Sequence, residues 1–300
     1  VIKNATNAIN TSFSNNNIFI NNDVSGNETG FRILSSDNNT ISNNKTSADT
    51  QGIALGSFSD GNNVIQNNIS DLLFGVTINQ SQSNLIKKNT ITGHSSTGVH
   101  ITALSSSNQV LNNNISNNPF GIFILQSNGT TIRDNSIHNN QNGIAVGVLS
   151  FSTKVFHNNF INNTTQAQAF TPASFDNGLP DGGNYWNNYD TPLEGCNDAN
   201  SDKFCDTTFV FTGGQDNFPW TIQDGWKGPP PISQAAANLA KELLNSNYLY
   251  GGKGWDYNMG EFVSPNTIKS GYNFWDQSAE TPGIDFGIGV DCSGLVMWSY

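Results

Sequence analysis

"GFRIL" at Gly30–Leu34, "GIALG" at Gly52–Gly56, "GVTIN" at Gly75–Asn79, "GVHIT" at Gly98–Thr102, "GIFIL" at Gly121–Leu125 and "GIAVG" at Gly143–Gly147 are one phrase repeated. Each opens on glycine and runs on as an alternating apolar stretch. The glycines stand 22, 23, 23, 23 and 22 residues apart. A second phrase keeps step: an apolar residue, two free positions, Asn, one free position, then usually Ile. It reads Ile41/Asn44/Thr46, Val64/Asn67/Ile69, Ile86/Asn89/Ile91, Val110/Asn113/Ile115, Ile132/Asn135/Ile137 and Val155/Asn158/Phe160. Short period-two apolar runs are strands, and none is large enough to bury a face by itself. Helical repeats are excluded, because Asn, Gly and β-branched residues stand where Ala, Leu, Glu and Lys would be needed. Asn tolerates left-handed backbone and so turns corners. Asn at one place in every turn also stacks into a hydrogen-bonded ladder. The pattern predicts a mainly β chain: a right-handed parallel β-helix of 22–23-residue coils over 1–170, with Ile and Val pointing inward.

These turns resemble the NosD-type and carbohydrate-binding β-helix repeats of many surface proteins. The resemblance covers roughly residues 1–222 and implies the fold, while such solenoids serve as lyases, adhesins, binding surfaces or spacers. A polysaccharide lyase needs clustered acids for a metal and a base for proton abstraction. The charged residues Asp60, Asp71, Lys87, Lys88, Arg133 and Asp134 do not recur in register, which argues against one. His94, His138 and His157 are read at polar turn or edge positions and His100 on a strand, as solvated or ladder-edge side chains.

The chain carries a formal net charge of −11 with only 12% charged residues. Its arginines are Arg32 and Arg133, so nucleic acid, which demands a basic footprint, is excluded as a partner. No apolar run approaches the roughly 18 residues of a membrane helix. The chain opens at Val1 without Met and ends inside an apparent helix, so it is read as an internal fragment. Cys196 and Cys205 lie close together and Cys292 stands apart. A pair plus an odd one fits an extracellular or cell-surface protein with one disulfide, Cys196–Cys205, and one free thiol.

Beyond Phe170 the pattern gives way to "DGGNYWNNYD", "CNDANSDKFCDTTFVF" and "GGQDNFPW". Residues 171–224 are expected to close the solenoid, with Tyr185, Trp186, Phe218 and Trp220 covering the end of its core. Asp198, Asn200 and Asp202 space oxygen ligands two apart, as the first half of a calcium loop does, and Asp206 adds a carboxylate. Lys203 stands where that motif wants Gly, and no Glu follows at the twelfth position. Calcium and a disulfide-stapled turn are therefore both open.

"DGWKGPPPIS" marks a boundary, with a Pro-rich linker at 225–231. Ser233 then caps an expected helix that repeats Ala236, Leu239, Leu243 and Leu244. "YLYGG" and "GVDCSGLVMWSY" follow. Residues 232–300 resemble the first half of an NlpC-type peptidase, a papain-like family that hydrolyses bacterial wall peptides. The resemblance implies an incomplete α+β domain. Cys292 matches the nucleophile, Tyr248 the active-site tyrosine, and Asp291 and Ser293 the flanking positions. The chemistry is coherent: a cysteine in the first turn of a helix meets unpaired N–H groups that favour thiolate and hold an oxyanion. The family's basic His lies downstream of the cysteine, and nothing follows Tyr300. These 300 residues are thus expected to be inactive, and the full-length protein to be an exported wall hydrolase. Its partner would be a cell-wall peptide or glycan, with no cofactor required for catalysis. The competing readings are a non-enzymatic adhesin or glycan-binding solenoid with a degenerate tail, and an acyl- or amidotransferase on the same scaffold.

Overall fold

A computed structural model describes residues 2–47, 50–71 and 73–227, together with two short strands at Trp255–Asp256 and Glu261–Phe262. The chain divides into two compact units, Val1–Trp226 and Lys227–Tyr300. In the second, Trp255–Asp256 pairs antiparallel with Glu261–Phe262. The helix expected after Ser233 and the rest of the NlpC-like segment lie outside the described residues.

The first unit is a right-handed parallel β-helix of about eight coils. One face is an eight-stranded parallel sheet running from Asn7–Ser12 through Thr29–Leu34, Gln51–Gly56, Phe74–Asn79, Thr97–Thr102, Phe120–Ile124 and Asn142–Val146 to Thr165–Ala169. Two seven-stranded sheets of short strands complete each turn. Among the described residues, helix is confined to the single turn Gly225–Lys227.

Register explains the repeat. Ile53, Val76, Val99, Ile122 and Ile144 are consecutive partners in the long sheet. Ile41, Val64, Ile86, Val110, Ile132 and Val155 stack in the second sheet. Ile69, Ile91, Ile115, Ile137 and Phe160 stack in the third. All are fully buried, so each coil donates a layer to one continuous core. The recurrent glycine sits where two coils nearly touch. A Cβ on Gly98 would lie 2.7 Å from the carbonyl oxygen of Gly121, and one on Gly143 would lie 2.4 Å from that of Gln166.

The repeated Asn does one of its two expected jobs. Left-handed backbone falls on the residue before it: Asn43, Gln66, Lys88, Asn112, Asp134 and His157, all with φ between 53° and 61°. The Asn itself turns inward and builds the ladder. Asn22 through Asn44, Asn67, Asn89, Asn113, Asn135 and Asn158 to Asn184 each donate their backbone N–H to the next Asn Oδ1, at 2.8–3.1 Å. A second ladder joins Asn17, Asn39, Asn62, Asn84 and Asn108. A third joins His94, Asn118, Asn140 and Asn163. Ser14, Ser36, Ser59, Ser81, Ser105, Ser127 and Ser150 form a hydroxyl counterpart. Backbone groups at the corners, which sheet pairing leaves over, thereby find buried partners.

At the C-terminal end Trp186 stacks on Phe160, with centroids 4.4 Å apart, and meets Phe175, Phe209 and Phe211. The Asn ladder ends on the carboxylate of Asp216, which is fully buried. It accepts from the Asn184 N–H at 2.7 Å, the Trp186 indole N–H at 2.9 Å and the Phe218 N–H at 3.1 Å. Burial pushes its pKa up to about 7, against the pull of those donors.

Candidate functional site

Identical residues make the solenoid; the outward columns of the long sheet, where residues differ from coil to coil, make its surface chemistry. In one column Arg32, Ala54, Thr77, His100 and Phe123 are consecutive register partners. In the next, Gln51, Phe74, Thr97 and Phe120 follow one another. Across the first column lies an open groove of about 400 Å³, lined among others by Arg32, Gln51, Phe74, Thr77, Asn79 and His100.

The aromatic residues form a continuous run. The His100 imidazole is stacked between the rings of Phe74 and Phe123, 5.4 Å from each centroid and within 20° of parallel. Phe120 extends the run from Phe123 at 5.4 Å. Burial between two phenyl rings holds the His100 pKa below the usual imidazole range, so the ring is neutral at pH 7. Its Nε2 is buried and makes no hydrogen bond within the chain. Among the described residues no Asp or Glu lines the groove. Three register steps separate Arg32 from His100, on the order of 14 Å at about 4.8 Å per strand. A second hollow of about 400 Å³ is lined by Asn and Gln with Asp23 and Lys45, and it has no ring.

The residues singled out in the sequence lie elsewhere. Cys196 and Cys205 are joined in a disulfide that closes a nine-residue separation. Within that loop Asp198 accepts from the Asp202 and Lys203 N–H groups. Asn200 Oδ1 also accepts from the Asp202 N–H, Asp202 from Phe204, and Asp206 from Ala199. Cys292, Tyr248, Asp291 and Ser293 fall outside the described residues. His94 lies between strands at the head of the third ladder, as a ladder-edge reading expects, but it is buried and not solvated. His138 stands at the end of the strand Ser136–His138, and its Nε2 pairs with Asn114 Oδ1 at 2.8 Å. His157 is at a corner, stacked on Trp226 and bonded to the Asp181 carbonyl.

The chain matches the family described as "Periplasmic copper-binding protein (NosD)" over residues 1–120 and 105–191. It belongs to the NosD family. No curated protein matches it by sequence. Among solved structures it is similar to two mutants of the periplasmic alginate epimerase AlgG. The single mutant has 18% identity and a TM-score of 0.44. The double mutant has 20% identity and a TM-score of 0.48. Each match covers 51% of this chain and 38% of the epimerase. It is also similar to the A-module of a mannuronan C-5 epimerase from Azotobacter vinelandii. There the identity is 15% and the TM-score 0.37, covering 53% of this chain and 55% of the module.

Copper, in the NosD description, is held in proteins by thiolate, thioether and imidazole ligands. Among the described residues no three His, Cys, Asp or Glu side chains converge, and Cys196 and Cys205 are spent on each other. The described part of this NosD-family chain therefore does not fit the ion. Among the described residues no helix is long and apolar enough to cross a membrane.

Proposed function

We propose that the solenoid is an exported, non-catalytic glycan-binding module, and that the long-sheet groove is its binding surface. The run Phe74–His100–Phe123–Phe120 carries this reading. The stacked rings offer an apolar ridge against which the C–H groups of a sugar ring can pack, and the amides and hydroxyls of Gln51, Thr77 and Asn79 suit its hydroxyl groups. Glycosidic hydrolysis commonly uses two carboxyl groups within about 10 Å across the scissile bond, and the groove lining contains none among the described residues. The family's periplasmic description and the Cys196–Cys205 disulfide support export.

Affinity electrophoresis and calorimetry against an oligosaccharide panel test the module. Wild type is expected to retard on at least one glycan. Phe74→Ala is expected to weaken that binding about tenfold, or about 1.4 kcal/mol, with an unchanged circular dichroism spectrum. Failure of the wild-type chain to bind any glycan at millimolar concentration would overturn the reading.

We further propose that the DCSGLV segment is catalytic, with Cys292 as the nucleophile that attacks a wall stem-peptide amide and displaces its amine. The protein expressed from its native gene should release peptides from purified walls. Cys292→Ala should abolish that release, and equal activity of the two proteins would remove Cys292 from the mechanism.

A further inference from the structure

We infer that the groove selects an extended glycan bearing carboxylate groups, a uronate-containing polymer, and that Arg32 binds one carboxylate while the rings carry the rest of the chain. This rests on the glycan-binding reading of the groove and names its ligand class.

The argument begins with charge. The net −11 gives no hint of an anionic ligand, but it is unevenly distributed. Residues 1–170 hold seven acidic and seven basic side chains, so the whole excess lies beyond them. The solenoid is neutral and does not repel a polyanion as the chain total suggests. Among the described residues that line the groove, Arg32 is the one cation. It is half-buried on the strand Thr29–Leu34, its register partners are Asn10 and Ala54, and no carboxylate or carbonyl of the described residues pairs with it. Two described carboxylates on the C-terminal side already accept backbone N–H groups: Asp37 from Asp60 and Asp60 from Gln82. A guanidinium with no counter-ion among the described residues, set in a groove, is a ready site for an anion.

The kind of anion follows from the count. One planar fork matches one carboxylate bidentately, whereas a doubly charged phosphate would call for further cations. His100 is the other titratable residue of the described lining, and burial disfavours its charged form, so those residues give the groove one positive charge. The remaining length is built for uncharged contact. From Arg32 the groove passes Thr77 to the Phe74–His100–Phe123 stack, three coils away. A small acid reaches only the first; a polymer touches both.

The test is calorimetry on the full chain with tetrasaccharides of galacturonate and of glucuronate, each as the free acid and as its methyl ester, and with neutral tetrasaccharides alongside. At least one free acid is expected to bind tenfold or more tightly than its ester, with an advantage that shrinks as NaCl rises. Arg32→Gln is expected to bring acid and ester to equal affinity, and an unchanged circular dichroism spectrum reports that the variant is folded. Equal affinity of acid and ester in the wild type would overturn the inference and leave glycan binding standing. So would an acid preference that survives in Arg32→Gln. Binding of neutral glycans alone has the same meaning. Absence of binding to every sugar would remove the glycan reading itself.

Discussion

Asn113→Ala is expected to destabilise the solenoid by about 3–5 kcal/mol, far more than an ordinary polar truncation. Asn113 is 2% exposed and uses its whole amide. Its Oδ1 accepts both the backbone N–H and the Nδ2 of Asn89, at 2.9 and 3.0 Å. Its Nδ2 donates to the carbonyls of Ile86 and Leu111 and to Asn135 Oδ1. Alanine would leave two donors of Asn89 buried without an acceptor, each worth about 1–3 kcal/mol, and open a void between coils. Asn113→Asp is expected to be no better, since a carboxylate cannot donate to those three oxygens and brings a buried charge. The control is its neighbour Asn112, which is exposed and holds φ at 56°. Asn112→Ala is expected to cost only the about 1–2 kcal/mol of a non-glycine residue in left-handed backbone. Urea unfolding followed by far-ultraviolet circular dichroism decides the matter. A loss below 1 kcal/mol for Asn113→Ala would mean that the ladder is ornament and the apolar stacks alone hold the coils.

Asp216 sets the second large effect. Asp216→Ala leaves the N–H groups of Asn184, Phe218 and the Trp186 indole without their acceptor, at an expected cost of about 3–5 kcal/mol. Its titration adds a pH signature. An acid whose folded pKa is raised to about 7 binds its proton more tightly in the native state than in the unfolded chain. Its contribution is therefore largest below about pH 4, falls as pH rises towards 7, and is flat above. Asp216→Asn does not titrate. The difference in Tm between wild type and Asp216→Asn should thus move against the wild type from pH 4 to pH 7 and then stay constant. A difference independent of pH across that interval would show that Asp216 is ionised throughout.

The fold was legible because it is periodic. The Gly-apolar phrase and the apolar-x-x-Asn phrase fall on all three sheets, and both follow from what one coil must present to the next. The Ser ladder and the second Asn ladder had a signal that was passed over: Ser36/Asn39, Ser59/Asn62, Ser81/Asn84 and Ser105/Asn108 repeat Ser-x-x-Asn in register. The groove was illegible for the opposite reason. Arg32, Thr77, His100 and Phe123 share no chemistry, so no repeat marks them, and His100 was read as a bland strand residue. Writing the chain one coil per line and reading down the non-repeating outward columns recovers them. Asp216 lies 32 residues from Asn184 in an aperiodic segment, and no local pattern announces that pairing.

Coils joined by interchangeable rungs have a genetic consequence. Asn67, Asn89 and Asn113 meet the same neighbours above and below, and each coil touches little else. An in-frame duplication or deletion of 22 or 23 codons, the spacing of the glycines, therefore adds or removes one storey without disturbing either end. The height of this tower is a variable that recombination can set. Every storey inserted also brings two new outward positions, free of any structural duty, on which a different ligand preference can be written.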